Sequence, residues 1–189
     1  MRLFMAIPLA SDVAEQLIHI RTRLEQPGDD LRWSSPESWH ITLQFLGAST
    51  EAQYHCVVDH LRQISAAALS IRLQGLGFFD RAGVFFVDVP VSSELLSLQQ
   101  RVLHATTPCG FEPEDRPYHP HITLARKKGK SADAIRTLKR RLQSEPGVEA
   151  TFPAAFTARE FLLYESFPGP SGSRYEIRAR FPLAPGSRL

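Results

Sequence analysis

No apolar run in this 189-residue chain approaches the roughly 18 residues that mark a membrane-spanning helix, so no span is expected. Cysteine is almost missing. Cys56 and Cys109 stand 53 residues apart and fit no metal-binding spacing. Each falls in or near a helical pattern, where packing is the expected role. Lysine is scarce as well: it supplies 4 of the 22 basic residues and arginine the other 18. Arginine is the better bidentate partner for phosphate, although a genomic bias toward arginine would give the same count. The net charge of +2 creates no global field that would mark a nucleic-acid partner. No glycine-rich loop precedes a helix, which leaves nucleoside-triphosphate chemistry unsupported. Neither a long linker nor a low-complexity stretch divides the chain, so one unit over residues 1–189 is expected.

What the chain does contain is the composition of a folded globule, 43% hydrophobic and 22% charged with both signs mixed. The apolar start Leu3-Phe4-Met5-Ala6-Ile7 is too short for a signal sequence and is interrupted by Pro8, so a cytoplasmic protein is expected. Residues 2–7 read as a strand. A helix capped by Ser11 follows, with Val13, Leu17, Ile20 and Leu24 on one face. Arg32-Trp33 leads into a turn, and Trp39 to Leu46 is a strong strand. Thr50 and Gln53 form a capping box for a second helix. Residues 71–79 and 84–89 pair as a hairpin across Asp80-Arg81-Ala82-Gly83. A third helix starts near Ser92, a second strong strand runs from His119 to Leu124, and 132–143 form a fourth helix. Strands near 161–165 and 174–181 close the chain. Interleaved helices and hairpins predict an α+β fold of two lobes with antiparallel or mixed sheets, flanking helices and a groove between the lobes.

His-Ile-Thr-Leu occurs twice, at residues 40–43 and 121–124. On a strand, residues i and i+2 share a face about 7 Å apart, so each copy presents an imidazole and a hydroxyl together. Around the first copy, Trp39, Ile41, Leu43 and Phe45 make an apolar face, which turns His40, Thr42 and Gln44 the other way. Around the second, Ile122 and Leu124 take the core side, and His119, His121 and Thr123 take the opposite one. Two imidazoles and two hydroxyls about one volume suit the in-line hydrolysis of a phosphodiester. One imidazole takes a proton from water while its protonated twin gives one to the leaving oxygen. The threonine hydroxyls donate to phosphoryl oxygens. The set requires no metal or other cofactor. A single copy of the tetrapeptide would mean little, since such strings fit any half-solvated strand.

These residues resemble the two-histidine phosphoesterase superfamily, and within it the RNA 2′,3′-cyclic phosphodiesterases, also called 2′-5′ RNA ligases. The similarity runs through residues 2–7, 32–33, 39–47, 116–126 and 163–166. It implies a bilobed fold with a pseudo-twofold axis and opening of a terminal cyclic phosphate to a 2′-phosphomonoester. By position, His40 would be the general acid and His121 the general base. Thr42, Thr123 and Arg126 would bind phosphate. Strict alternation places Arg126 on the core face, so a bend or bulge near Ala125 is expected. The resemblance leaves room for other substrates: small cyclic nucleotides, ADP-ribose cyclic phosphate, or RNA halves joined by the reverse reaction. A non-catalytic RNA-binding module is the alternative from another class. The expected partner is an RNA end bearing a cyclic phosphate, tRNA-derived ends included, with no membrane and a monomeric protein.

Among the other candidates, Phe45, Phe78, Phe79 and Tyr164 could stack on bases, Phe45 and Tyr164 being the substrate contacts put forward. Residues 126–141 hold eight basic side chains against Asp133, either an RNA-backbone track or a solvated helix face. His119-Pro120-His121 offers two zinc ligands with no third in view. His19, His55, His60 and His104 lie in helical segments without evident partners.

Overall fold

The computed structural model describes residues 1–129, 133–145, 147–148, 155–169 and 172–185. The chain runs β1 (Arg2–Pro8), α1 (Ser11–Leu24), β2 (Leu31–Trp33), β3 (His40–Ala48), α2 (Glu51–Leu61), β4 (Leu69–Ile71), β5 (Leu76–Phe79) and β6 (Val84–Asp88). It continues α3 (Ser93–Thr106), β7 (His121–Lys127), α4 (Asp133–Ser144), β8 (Phe156–Ala158), β9 (Glu160–Gly169) and β10 (Gly172–Pro182). The strands build two four-stranded sheets, ordered β10-β9-β1-β3 and β2-β7-β6-β5, with β4-β8 as a small third sheet. Every strand pair in them is antiparallel. This is the expected two-lobed α+β architecture, one large sheet to each lobe. Buried apolar residues from both lobes join in one cluster. Among the described residues, no helix is long and apolar enough to cross a membrane.

Local chemistry accounts for most boundaries. Val13, Leu17, Ile20 and Leu24 recur at the helical period and are fully buried. The Thr50–Gln53 capping box forms in both directions, and Ser92 accepts from the Leu95 amide to start α3. Ser11 is itself the first helical residue: Ala10 precedes it as the cap and makes no side-chain bond. The stretch expected as one strand over 71–79 splits in two. Gly75 turns the chain at φ +73°, so β4 and β5 enter different sheets. The strand expected from His119 begins at His121, because Pro120 has no N–H to give to a ladder.

The cysteines do more than pack. Cys56 of α2 and Cys109, in the short 3-10 turn after α3, form a disulfide with Cα atoms 5.7 Å apart. Their separation in sequence hid the pairing, which exists because α2 packs against α3. Closing a loop of this length stabilises by ~2–4 kcal/mol. The other lobe is tied differently. Arg141 of α4 makes a two-pronged ion pair with Asp29, at 2.8 and 2.9 Å, ahead of β2. Both side chains are nearly buried, and the guanidinium holds the Asp29 carboxyl below its usual range.

Candidate active site

The two tetrapeptides meet because each lies on open strand edge. β3 ends its sheet, and β2 covers β7 only from Ala125 to Lys127. β7 packs against β3, where the His121 charge reaches His40 and Thr42 and His121 line one cavity. Tyr118 crosses between the lobes: its partly buried hydroxyl donates to the Thr42 carbonyl at 3.1 Å, and desolvation pushes its pKa up.

Both imidazoles are held by the same device. His40 Nδ1 lies 2.7 Å from the carbonyl oxygen of Ser38, and His121 Nδ1 lies 2.8 Å from that of His119. A carbonyl accepts only, so Nδ1 carries the proton in each ring and Nε2 is left for chemistry. Aromatic rings wall each imidazole. Phe4, Tyr164 and Tyr175 stand 4.8, 6.0 and 5.3 Å from His40. Phe79 and Phe86 stand 5.0 and 5.3 Å from His121. This desolvation pushes the His40 pKa down to about 4, helped by charges on His121 and Arg126. Burial lowers His121 as well, with the His119 carbonyl and Asp88 acting against it. With both lowered from the usual histidine range, the two rings are neutral at neutral pH.

The strands also bulge at the same residue. In β3, Thr42 pairs with Ala6 and Gln44 with Met5, so Leu43 is skipped. In β7, Thr123 pairs with Phe86 and Ala125 with Phe85, so Leu124 is skipped. Two successive residues then turn inward, Leu43-Gln44 in one copy and Leu124-Ala125 in the other. The residue after each pair turns outward. The bend expected near Ala125 is thus present. It brings Arg126 out of the core to the side of Thr123, whose hydroxyl accepts from the guanidinium at 3.4 Å. In β3 the bulge corrects two placements. Gln44, expected beside His40 and Thr42, is buried and accepts from the Thr106 hydroxyl at 2.8 Å. Phe45, expected on the apolar face, is 59% exposed.

Two cavities flank the histidines. One of about 650 Å³ is lined by Thr42, Phe45, Phe79, Tyr118 and His121, with Phe78 in its wall. The other, of about 540 Å³, is lined by Arg32, Ser38, Arg126, Arg174 and Tyr175. Tyr164 lines neither. It stacks on Phe4 at 5.1 Å and so supports the His40 wall.

The basic stretch 126–141 is divided. Arg136, Lys139 and Arg141 pair with Asp133, Asp80 and Asp29. The helix-face reading therefore holds for α4, and Arg126 alone of these lines the groove beside the histidines; Lys130 lies outside the described residues. His119 Nε2 sits 2.8 Å from Asp88, a partner invisible in sequence. His60, expected without partners, has Nδ1 3.7 and 3.8 Å from the two disulfide sulfurs. Sequence reasoning missed Phe4, Tyr175, Arg32, Phe86 and Asp88. Phe4 and Arg32 lie in stretches 2–7 and 32–33, which the family resemblance covered without singling them out, and Tyr175, Phe86 and Asp88 come from segments with no motif of their own. Tyr118 adjoins the second motif.

Comparison with known proteins agrees with this geometry. The family model described as the 2′-5′ RNA ligase superfamily matches residues 7–166. A protein of Aeropyrum pernix named RNA 2′,3′-cyclic phosphodiesterase is 35% identical over 118 residues, covering 60% of this chain and 67% of that one. One of the same name from Geobacillus stearothermophilus is 30% identical over 195 residues, covering 98% of this chain and 59% of its own length. The crystal structure of E. coli LigT complexed with 3′-AMP superposes with a TM-score of 0.77 at 25% identity, covering 96% and 97% of the two chains. The family match and the paired, equally bulged motifs lead to one conclusion: the chain belongs to the 2′-5′ RNA ligase superfamily.

Proposed function

We propose that this protein is an RNA 2′,3′-cyclic phosphodiesterase that opens a terminal cyclic phosphate to a 2′-phosphomonoester without a metal. The observation that carries the reading is the duplicated His-Thr pair on facing strand edges, each imidazole tethered through Nδ1 with Nε2 free. The names of the curated relatives support the substrate.

Water adds to phosphorus as the P–O3′ bond breaks. His121 accepts the water proton through Nε2, and His40 donates a proton to the departing O3′. Thr42 and Thr123 donate to the non-bridging oxygens, and Arg126 balances the charge gathering there. The groove begins with both rings neutral, so His40 must gain its proton on binding. An anionic phosphodiester beside it favours the imidazolium, reversing the effect of burial. Substrate binding near neutral pH should therefore take up a proton. An RNA-binding module without turnover would have no use for two tethered proton-transfer groups.

The test is incubation of purified protein with RNA ending in a 2′,3′-cyclic phosphate, in excess EDTA. A 2′-phosphate product is expected. Activity only after a divalent ion is restored would overturn the metal-free mechanism. Turnover confined to small cyclic compounds would overturn the substrate, and binding without turnover the reaction itself.

A further inference from the structure

Of the charge in the 540 Å³ cavity, the chemistry above uses only Arg126 and leaves Arg32 and Arg174 without a role. Arg32 of β2 pairs in register with Arg126 of β7, so two guanidiniums stand side by side across adjacent strands. Burial, and to a lesser degree the neighbouring Arg32 charge, pull the Arg126 pKa down. Neither has a carboxylate partner among the described residues. Arg126 reaches only the Thr123 hydroxyl, and Arg32 has no hydrogen bond or ion pair there. Arg174 of β10 joins them from the other lobe, paired with Glu176 and lying over the Phe167 ring at 4.7 Å. The lining also includes Glu37 and the serines Ser34, Ser35 and Ser38. Two guanidiniums without a carboxylate partner among the described residues and a third paired with Glu176, with Glu37 the one acid in the lining and hydroxyls between them, form a receptor for an anion.

Its position says which anion. Ser38 supplies the carbonyl that holds His40, and Tyr175 both walls His40 and lines this cavity, so the cationic cavity adjoins the acid–base pair. The aromatic cavity, with Phe45, Phe79 and Tyr118, opens on the side of Thr42 and His121. A nucleotide whose cyclic phosphate sits between the histidines has two further ends: an apolar base and a 5′ oxygen that in RNA carries the next phosphate. The base suits the aromatic cavity and the phosphate the cationic one.

We infer that the Arg32–Arg126–Arg174 cavity is a subsite for the phosphate on the 5′ oxygen of the terminal nucleotide, making the enzyme selective for RNA ends over free nucleosides. The inference rests on the cyclic phosphodiesterase reading and specifies its substrate. A phosphate held by paired guanidiniums at a half-open site should improve kcat/KM by roughly ten- to a hundredfold, mostly through KM.

The experiment compares a nucleoside 2′,3′-cyclic phosphate with the same compound bearing a 5′-phosphate, and measures calorimetric binding of a nucleoside 5′-monophosphate against the nucleoside. Wild type, Arg32→Ala, Arg32→Lys and Arg174→Ala are used, with folding checked by circular dichroism. Wild type should prefer the 5′-phosphorylated substrate. Arg32→Ala and Arg174→Ala should bring the ratio toward one, and Arg32→Lys should restore part of it. Equal kcat/KM for both substrates in wild type would overturn the subsite while leaving the phosphodiesterase reading intact. If neither mononucleotide turns over, the phosphodiesterase reading still stands or falls on the RNA assay, and binding decides the subsite. Tighter binding of the 5′-monophosphate that is lost in Arg32→Ala supports it; equal binding overturns it.

Discussion

β3 and β7 carry the same tetrapeptide, bulge at the same leucine, and hold their imidazoles by the carbonyl two residues back. Past the bulge they diverge. The first copy sends out Phe45 and buries Gln44; the second sends out Arg126 and buries Ala125. One backbone device thus serves two ends, placing an exposed aromatic ring on one wall of the groove and a guanidinium on the other. Their histidines differ in the same spirit. Three aromatic rings desolvate His40, whereas His121 has the Asp88 carboxylate within electrostatic reach. In the proposed reaction, duplication supplies the symmetric proton-transfer pair, and divergence at the fifth position after each histidine supplies the asymmetry that a nucleotide substrate requires.

The largest expected effect tests the symmetric part. His40→Ala and His121→Ala should each lower kcat by ~10²–10⁴-fold with the fold retained, as general acid–base groups do. Steady-state kinetics in which one variant keeps near-full activity would break the equivalence of the strands. Next come the ties of the two lobes. The first is covalent, so Cys56→Ser should lower Tm by roughly 5–15 °C, from the ~2–4 kcal/mol of lost loop closure. A reducing agent should act on the wild type alike, and an unchanged Tm would remove the disulfide from the account.

The asymmetric part is probed past the bulges. Arg126→Ala should lower kcat by ~10²-fold, the cost of one preorganised charge-stabilising donor. Phe45→Ala should instead raise KM about tenfold, the worth of one stacked base. The same kinetic signature from both variants would deny that the outward residues differ in role. The smallest effect is in acid. His40 titrates near 4 in the fold against ~6.5 unfolded, so the unfolded chain binds more protons between these values. Stability is intact above pH 6.5 and falls as pH drops toward 4. His40→Gln should remove this loss, a relative gain of ~2 kcal/mol at pH 5 in urea titrations. Equal acid sensitivity of variant and wild type would place the desolvated imidazole elsewhere.

What the sequence made legible follows from periods local to one strand or helix. His40, Thr42, His121 and Thr123 could be assigned to one face because alternation governs the first three residues of each motif. It fails at Gln44 and Phe45, because a bulge depends on the ladder with the neighbouring strand. The need for a bulge at Ala125 was visible only through the resemblance, which required Arg126 in the groove. The disulfide and the Asp29–Arg141 pair arise from helix packing that no spacing encodes. The cationic cavity draws on β2, β7 and β10, three segments brought together only by the fold.

The central claim is that two imidazoles from distant parts of the chain act on one phosphorus atom, and a double-mutant cycle on His40 and His121 tests it most directly. Groups that act as one unit are not additive. The account predicts that the double alanine variant loses no more of kcat on cyclic-phosphate-ended RNA than the more damaging single variant. Losses that multiply across the two sites would contradict it.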